Sequence, residues 1–302
     1  MKKQPLIYRL NVIGGAIIIF LTIRTYMPVI GAKLGLNKNF NIWLILFMIT
    51  LALSCILPIC FIEKMCDFHP IIQKKKSSII NDLILLLSGM IMFTMLSIVN
   101  SLVHNVLNKF GISFPSNTIE PINGFLTFIL YFTFSAIIPA IFEELFMRGT
   151  VLPMLVPYGK RFAVLSCALI FTLMHTQIQG FIPIFGAGII LSCLYLYTDN
   201  IFIPMSLHFL NNAYSFMMMY MQNKVNGISY ISFASLIMSI IIATGGYSLF
   251  YMKRHNINIF SALKEKEKNA KLTSFFKSPI MLLAIMGCML AIFSQLYTDL
   301  NL

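Results

Sequence analysis

Charged side chains are scarce in this 302-residue chain. Lys, Arg, Asp and Glu make up 11% of it and hydrophobic residues 58%, whereas a soluble domain is about a quarter charged. Acidic groups are rarest, with ten Asp and Glu in all. A chain so poor in charge cannot clothe a large water-soluble domain, but lipid can take the place of a core. CxxC pairs are also missing. Cys55, Cys60, Cys167, Cys193 and Cys288 lie in apolar stretches and Cys66 in a basic loop, which excludes a disulfide scaffold or zinc ribbon and leaves small buried hydrophobes. No internal repeat is evident, which counts against an inverted-repeat transporter. Serine elbow, GxGD-like aspartate pair, HExxH helix and P-loop are all lacking.

What is present falls in blocks. A spanning helix needs about 20 mostly apolar residues, and candidates are Leu10–Ile30, Trp43–Ile62, Leu83–Val103, Phe125–Phe142, Phe162–Met174, Phe181–Tyr197, Ile201–Met221, Ile228–Met252 and Ile280–Leu296. The fifth is short, so eight or nine spans are expected. The fold class is all-α, a polytopic transmembrane helical bundle. It divides into N-terminal helices over 1–119 (about three spans), a core over 120–222, and C-terminal helices with a charged loop over 223–302. Pro153, Pro157, Pro183 and Pro204 mark helix starts or breaks. Lys2, Lys3 and Arg9 ahead of an apolar run resemble a signal peptide. The run continues past Arg24 to Ile30, which favours an uncleaved first span.

The net charge of +12 sits in loops between apolar blocks, so topology explains it better than nucleic acid does. With the N-terminus inside, inner segments hold 16 of the Lys and Arg residues. Outer loops hold four: Lys33, Lys38, Lys109 and Lys224. Arg24 and Arg148 fall within or at the edge of spans. The run Lys264-Glu265-Lys266-Glu267-Lys268 reads as a solvated inner loop.

Ionisable groups at membrane depth are costly and usually functional. Glu143 and Glu144 end the fourth block. On a helix Glu144 and Arg148 stand at i,i+4 with the acid N-terminal, the favourable order for an ion pair, while Glu143 points about 100° away. One carboxylate is thus neutralised while the other faces a cavity. An interfacial salt-bridge cluster explains the same residues. His175 ends an apolar helix roughly 20 Å along the axis from Arg161, and a satisfied interfacial histidine is the plainer reading. His208 and Asn212 share a face one turn apart, with Asn211 expected to turn aside; helix–helix hydrogen bonding accounts for them equally. Together, though, these groups form a set able to hydrolyse an amide. A carboxylate and an imidazole can hold and deprotonate water, and a second imidazole with a carboxamide can donate to an oxyanion.

At these elements the sequence resembles the CAAX protease and bacteriocin-processing family, also called CPBP or Abi, which includes the eukaryotic endopeptidase that trims prenylated CAAX proteins. The family pattern EExxxR, FxxxH, HxxxN/D reads here Glu143-Glu144-x-x-x-Arg148, Phe171-x-x-x-His175 and His208-x-x-x-Asn212. The resemblance covers about residues 120–215. It implies a glutamate-dependent intramembrane endopeptidase with no cofactor and no metal. By position, Glu143 and His175 would activate water, His208 and Asn212 would stabilise the oxyanion, and Glu144 and Arg148 would support the first motif. Glu143, His175 and His208 as three zinc ligands form the mechanistic rival.

Lys- and Ile-rich composition points to a bacterial plasma membrane, where prenylated CAAX substrates are not expected. Bacterial relatives are linked to peptide maturation, bacteriocin immunity and regulation of membrane partners. The leading expectation is a peptidase acting on a peptide or membrane-protein segment, in a cavity opening toward the cytoplasm. A non-catalytic membrane partner or immunity protein is the second reading. A small transporter with Glu143 and His175 as proton relays is the third. Reporter fusions check the orientation: one at the N-terminus should report from the cytoplasm, and one in the loop after Lys109 from the opposite side.

Overall fold

The structure, a computed structural model, describes residues 4–72, 78–111, 122–264 and 271–299. Lys2, Lys3, Lys74, Lys75, Lys76, the run Glu265–Lys268 and the boundary expected at 119/120 lie outside the described residues. The described residues form nine rods: α1 Leu6–Lys33, α2 Phe40–Cys66, α3 Ile79–Lys109, α4 Phe125–Tyr158, α5 Lys160–Met174, α6 Phe181–Thr198, α7 Phe202–Lys224, α8 Gly227–Arg254 and α9 Pro279–Asp299. Short 3-10 turns cover Ile259–Lys264 and Leu272–Lys277. No extended strand occurs among the described residues.

Seven of these helices are long and apolar enough to cross a membrane: α1, α2, α3, α4, α6, α8 and α9. α5 and α7, counted among the eight or nine spans expected from the sequence, fall outside this set. At 15 residues, α5 is about 22 Å long, short of a hydrocarbon layer of about 30 Å. The 23 residues of α7 are long enough, but His208, Asn211 and Asn212 lower its hydropathy. These two exceptions carry the histidine motifs.

Prolines shape α4. A proline has no N–H to donate and crowds the carbonyl four residues back. Pro139 and Pro153 each follow a π-helical turn, Thr133–Ile137 and Met147–Val151, in which the helix widens instead of ending. Pro153 therefore does not break the helix, as the sequence had indicated. It leaves the Gly149 carbonyl free to accept from the Ile71 N–H at 2.8 Å. Pro183 and Pro204 lie in the first turns of α6 and α7, where a missing N–H is tolerated.

The middle of the molecule is the stretch of α4 from Phe146 to Leu155, every residue of which is buried. α1 packs on α2 and α9, α3 on α8, α5 on α6, and α4 on α2 and α7. Many apolar residues remain exposed on α8, such as Ile228, Ile231, Tyr247 and Phe250, as a lipid-facing helix requires. The α1–α9 contact shows how closely the rods approach. The Asn11 carboxamide oxygen accepts from Ser278 Oγ at 2.7 Å and from the Ile280 N–H at 3.2 Å, capping α9 from α1. One turn on, a Cβ at Gly14 would lie 2.6 Å from the Met281 backbone nitrogen.

Because backbone cannot yield, Gly14→Val should force α1 and α9 apart at a cost of about 1–3 kcal/mol, the range for overpacking. Gly15→Ala meets only the Phe61 ring, at 3.1 Å, and should lose less. Thermal unfolding followed by circular dichroism checks the order of the two.

Candidate active site

Glu143 and Glu144 lie in the α-helical turns of α4 between its two π segments. π turns recur at functional sites because they rotate the following residues and release carbonyls from the helical ladder. Here Thr150 Oγ1 donates five residues back to the Leu145 carbonyl, and Cys167 Sγ of α5 donates to the Met147 carbonyl at 3.6 Å.

Glu144 and Arg148 are both fully enclosed, and Arg148 Nη1 donates to Glu144 Oε1 at 2.7 Å. The other arm of the guanidinium, Nη2, donates to the Gly188 carbonyl of α6 at 3.1 Å. That carbonyl is within reach because α5 and α6 nearly touch: a Cβ at Gly188 would lie 2.8 Å from Ala168 Cα. The guanidinium carbon also lies 4.8 Å from the centre of the Phe171 ring of α5, a cation–π contact. One cation thus binds α4 to both α5 and α6.

Glu144 reaches a third helix. His208 Nδ1 of α7 lies 2.9 Å from Glu144 Oε1. A carboxylate only accepts, so this nitrogen carries the hydrogen and the other ring nitrogen, Nε2, is left for the cavity. His175 follows α5 directly, and its Nδ1 lies 2.7 Å from the Phe171 carbonyl. A carbonyl too only accepts, so Nδ1 donates and Nε2 carries the lone pair when the ring is neutral. Thr176, the next residue, has φ of 52°, an unusual value for a β-branched residue, and ends the helix abruptly there. His175 Nε2 stands 3.9 Å from Glu143 Oε2. That is too far for a direct hydrogen bond. Glu143 is 7% exposed, and its Oε2 has no hydrogen-bond partner among the described residues.

Two cavities meet at Phe171 and His175. The larger, about 260 Å³, is lined by His175, His208, Asn211, Asn212, Ser97 and Ser215 on its polar side. The smaller, about 10 Å³, lies among Glu143, His175, Arg24, Phe20 and Met174; such a space holds about one water. Glu143 and His175 therefore face each other across one small chamber, while His208 and Asn212 face the larger one.

Three contributors were not anticipated. Asn211 does not turn aside: its Nδ2 donates to Asn212 Oδ1 at 3.4 Å, and both border the larger cavity. Positions 208, 211, 212 and 215 are related by three- and four-residue steps, so they share one face. Ser97 of α3 joins them from across the cavity. Arg24 comes from α1, where the sequence places it only within or at the edge of a span. An arginine inside an apolar span was the signal available. Among the described residues no group of three or more His, Cys, Asp and Glu side chains is disposed to hold a metal ion, so the three residues of the zinc alternative are not gathered as ligands.

Residues 125–214 match a family model described as Type II CAAX prenyl endopeptidase Rce1-like, consistent with the CPBP family. No curated protein and no solved structure matches the chain. The matched segment runs from the start of α4 into α7 and holds all three motifs; α1 and Arg24 lie outside it. At the level of the family, this segment is similar to membrane endopeptidases of the CAAX-protease type.

Removing one partner of a buried ion pair strands the other, at about 3–5 kcal/mol, whereas replacing both by apolar residues is often neutral. Arg148→Met alone should therefore lower thermal stability sharply. The double change Glu144→Leu with Arg148→Met should restore most of it, as read by the unfolding midpoint in detergent.

Proposed function

We propose that this protein is an intramembrane endopeptidase that hydrolyses a peptide bond in a peptide or membrane-protein segment, using water activated by Glu143 and His175. The observation that carries this reading is the separation of 3.9 Å between Glu143 Oε2 and His175 Nε2 across a chamber of about 10 Å³. A water oxygen fits about 2.8 Å from both and donates one hydrogen to each. Glu143 takes the proton as the water oxygen adds to the scissile carbonyl carbon. The resulting oxyanion receives hydrogen bonds from Asn212 and from His208 Nε2, the latter when the ring carries both protons. Glu143 then passes its proton to the departing nitrogen. The C–N bond breaks, and the products are a carboxylic acid and an amine.

Glu144 and Arg148 act at one remove, by fixing His208 and holding α4 to its neighbours. The substrate lies in the cavity of about 260 Å³, whose serines and carboxamides suit the polar backbone of an extended chain. The setting is a plasma membrane of bacterial type with the N-terminus in the cytoplasm, where the substrate is a maturing peptide or a membrane partner instead of a prenylated protein.

The test compares new peptide N-termini in membranes from cells carrying either the original protein or Glu143→Ala at equal abundance. Fragments should occur only with the original, and purified turnover should fall by about 10²–10⁴-fold in the variant, the usual share of general acid–base catalysis. Identical fragment sets, with the cellular phenotype kept by Glu143→Ala, would instead assign the polar cavity to binding a membrane partner without cleavage, as in an immunity or regulatory protein.

A further inference from the structure

Basic residues that the sequence scatters between apolar blocks are gathered by the fold at one end of the helices. α5 starts there with Lys160 and Arg161. α6 packs along α5 and finishes beside that start, at Thr198. α8 finishes there with Lys253 and Arg254, and the 3-10 turn Ile259–Lys264 that follows lies against both α5 and α6. Where the turn meets the two helices is a hollow of about 320 Å³. It is at the opposite end of α5 from His175, about 22 Å along the axis.

The lining has two characters. Lys160, Tyr197, Ser261 and Lys264 are exposed and polar; behind them Ile259 and Ala262 are buried and Leu196 is half-buried. Two ammonium groups, a phenol and a hydroxyl can all donate hydrogen bonds, and no carboxylate lines the space among the described residues. Asp199, two residues past Tyr197, is exposed and outside the lining. In the sequence Lys264 merely opens a run in which lysine alternates with glutamate. The fold sets it apart by placing it on the same hollow as Lys160.

The depth of the hollow follows from α6. Its 18 residues measure about 27 Å, barely a crossing of a hydrocarbon layer of about 30 Å. A spanning α6 has no slack, so its last turn, which holds Leu196 and Tyr197, lies at the boundary. That is the level of lipid phosphates, and tyrosine is enriched there. Lysine suits the same level, laying its stem on apolar surface and its ammonium among headgroups. A soluble phosphate would leave the apolar floor unused, and a zwitterionic lipid would bring a cation of its own toward the lysines.

We propose that this hollow binds the phosphate of an anionic phospholipid. Lys160 and Lys264 supply the charge, Ser261 and Tyr197 supply hydrogen bonds, and the glycerol end of the lipid lies on Leu196, Ile259 and Ala262. The lipid ties the start of α5 to the turn that follows α8. Nothing in this depends on the endopeptidase reading.

The test mixes full-length protein in detergent with equal amounts of phosphatidylglycerol and phosphatidylcholine of the same acyl chains, and counts bound lipids by native mass spectrometry. Each lysine beside an anionic headgroup contributes roughly fivefold to binding, so phosphatidylglycerol should be retained about tenfold or more over phosphatidylcholine. Lys160→Gln with Lys264→Gln should remove that preference. Lys253→Gln with Arg254→Gln takes two cations from the same end of the molecule but outside the hollow, and should leave most of it. Excess inorganic phosphate at fixed ionic strength separates the two sources of the anion, and should leave the retained lipid in place. Equal retention of the two lipids, equal losses in the two double variants, or displacement of the lipid by inorganic phosphate overturns the proposal. The first outcome needs no variant, and all four substitutions fall on exposed side chains, so folding does not decide the result.

Discussion

The guanidinium of Arg148, enclosed at the centre of the helices, is the constraint on which the rest of the site depends. A lone cation there would be expelled, because taking an ion out of water costs several kcal/mol even after the protein relaxes. It is tolerated because Glu144, the Gly188 carbonyl and the Phe171 ring surround it. Each of those partners is on a different turn or helix, so meeting the electrical requirement fixes the relative positions of α4, α5 and α6. Glu144 then has capacity left for His208, which adds α7. The motif residues that look merely supportive in sequence thus determine where the reactive ones stand.

That arrangement relies on close backbone approach. Gly188 against Ala168 lets a helix carbonyl turn toward Arg148 while Ser192 Oγ also donates to it at 2.7 Å. The π turns of α4 perform a related service: they release carbonyls that a regular helix would consume, and loop, thiol and hydroxyl donors take them up. Membrane proteins have few such acceptors to spare, since every backbone group in hydrocarbon must be satisfied internally. Prolines at 139 and 153 supply the reason for the irregularity, and its position on either side of the glutamate pair places an adjustable stretch of helix where the geometry matters most.

Much of this was legible beforehand, and the exceptions have physical causes. Apolar runs locate helices well, so the rods fall where hydropathy places them. Periodicity within one helix also relates Glu144 to Arg148 and His208 to Asn212. It does not say what another helix brings. Arg24 reaches the glutamate chamber only because Phe20 stacks on Phe146, a contact between residues far apart in sequence. Pro153 reads locally as a break, yet the helix passes through it by widening. Asn211 was misjudged because a cavity is broader than a single line down a helix face. α5 and α7 resemble membrane spans in residue content, yet all seven helices with the length and hydropathy of a crossing lie elsewhere in the chain.

The shortness of α5 has a further effect. Its 15 residues end well before a full crossing, and the six residues that join it to α6 include the exposed Gln177 and Ile178. His104 of α3 lies 3.0 Å from the carbonyl of Gln179 in that link. Irregular backbone persists at membrane depth only where protein or water surrounds it, so lipid beside this link gives way to water or thins to meet it. Bilayer thickness then becomes a variable of the protein: longer acyl chains press on the link next to His175, and shorter ones relieve it, at fractions of a kcal/mol for each ångström of mismatch. Lipid chain length would tune this site as surely as a bound effector does in a soluble enzyme.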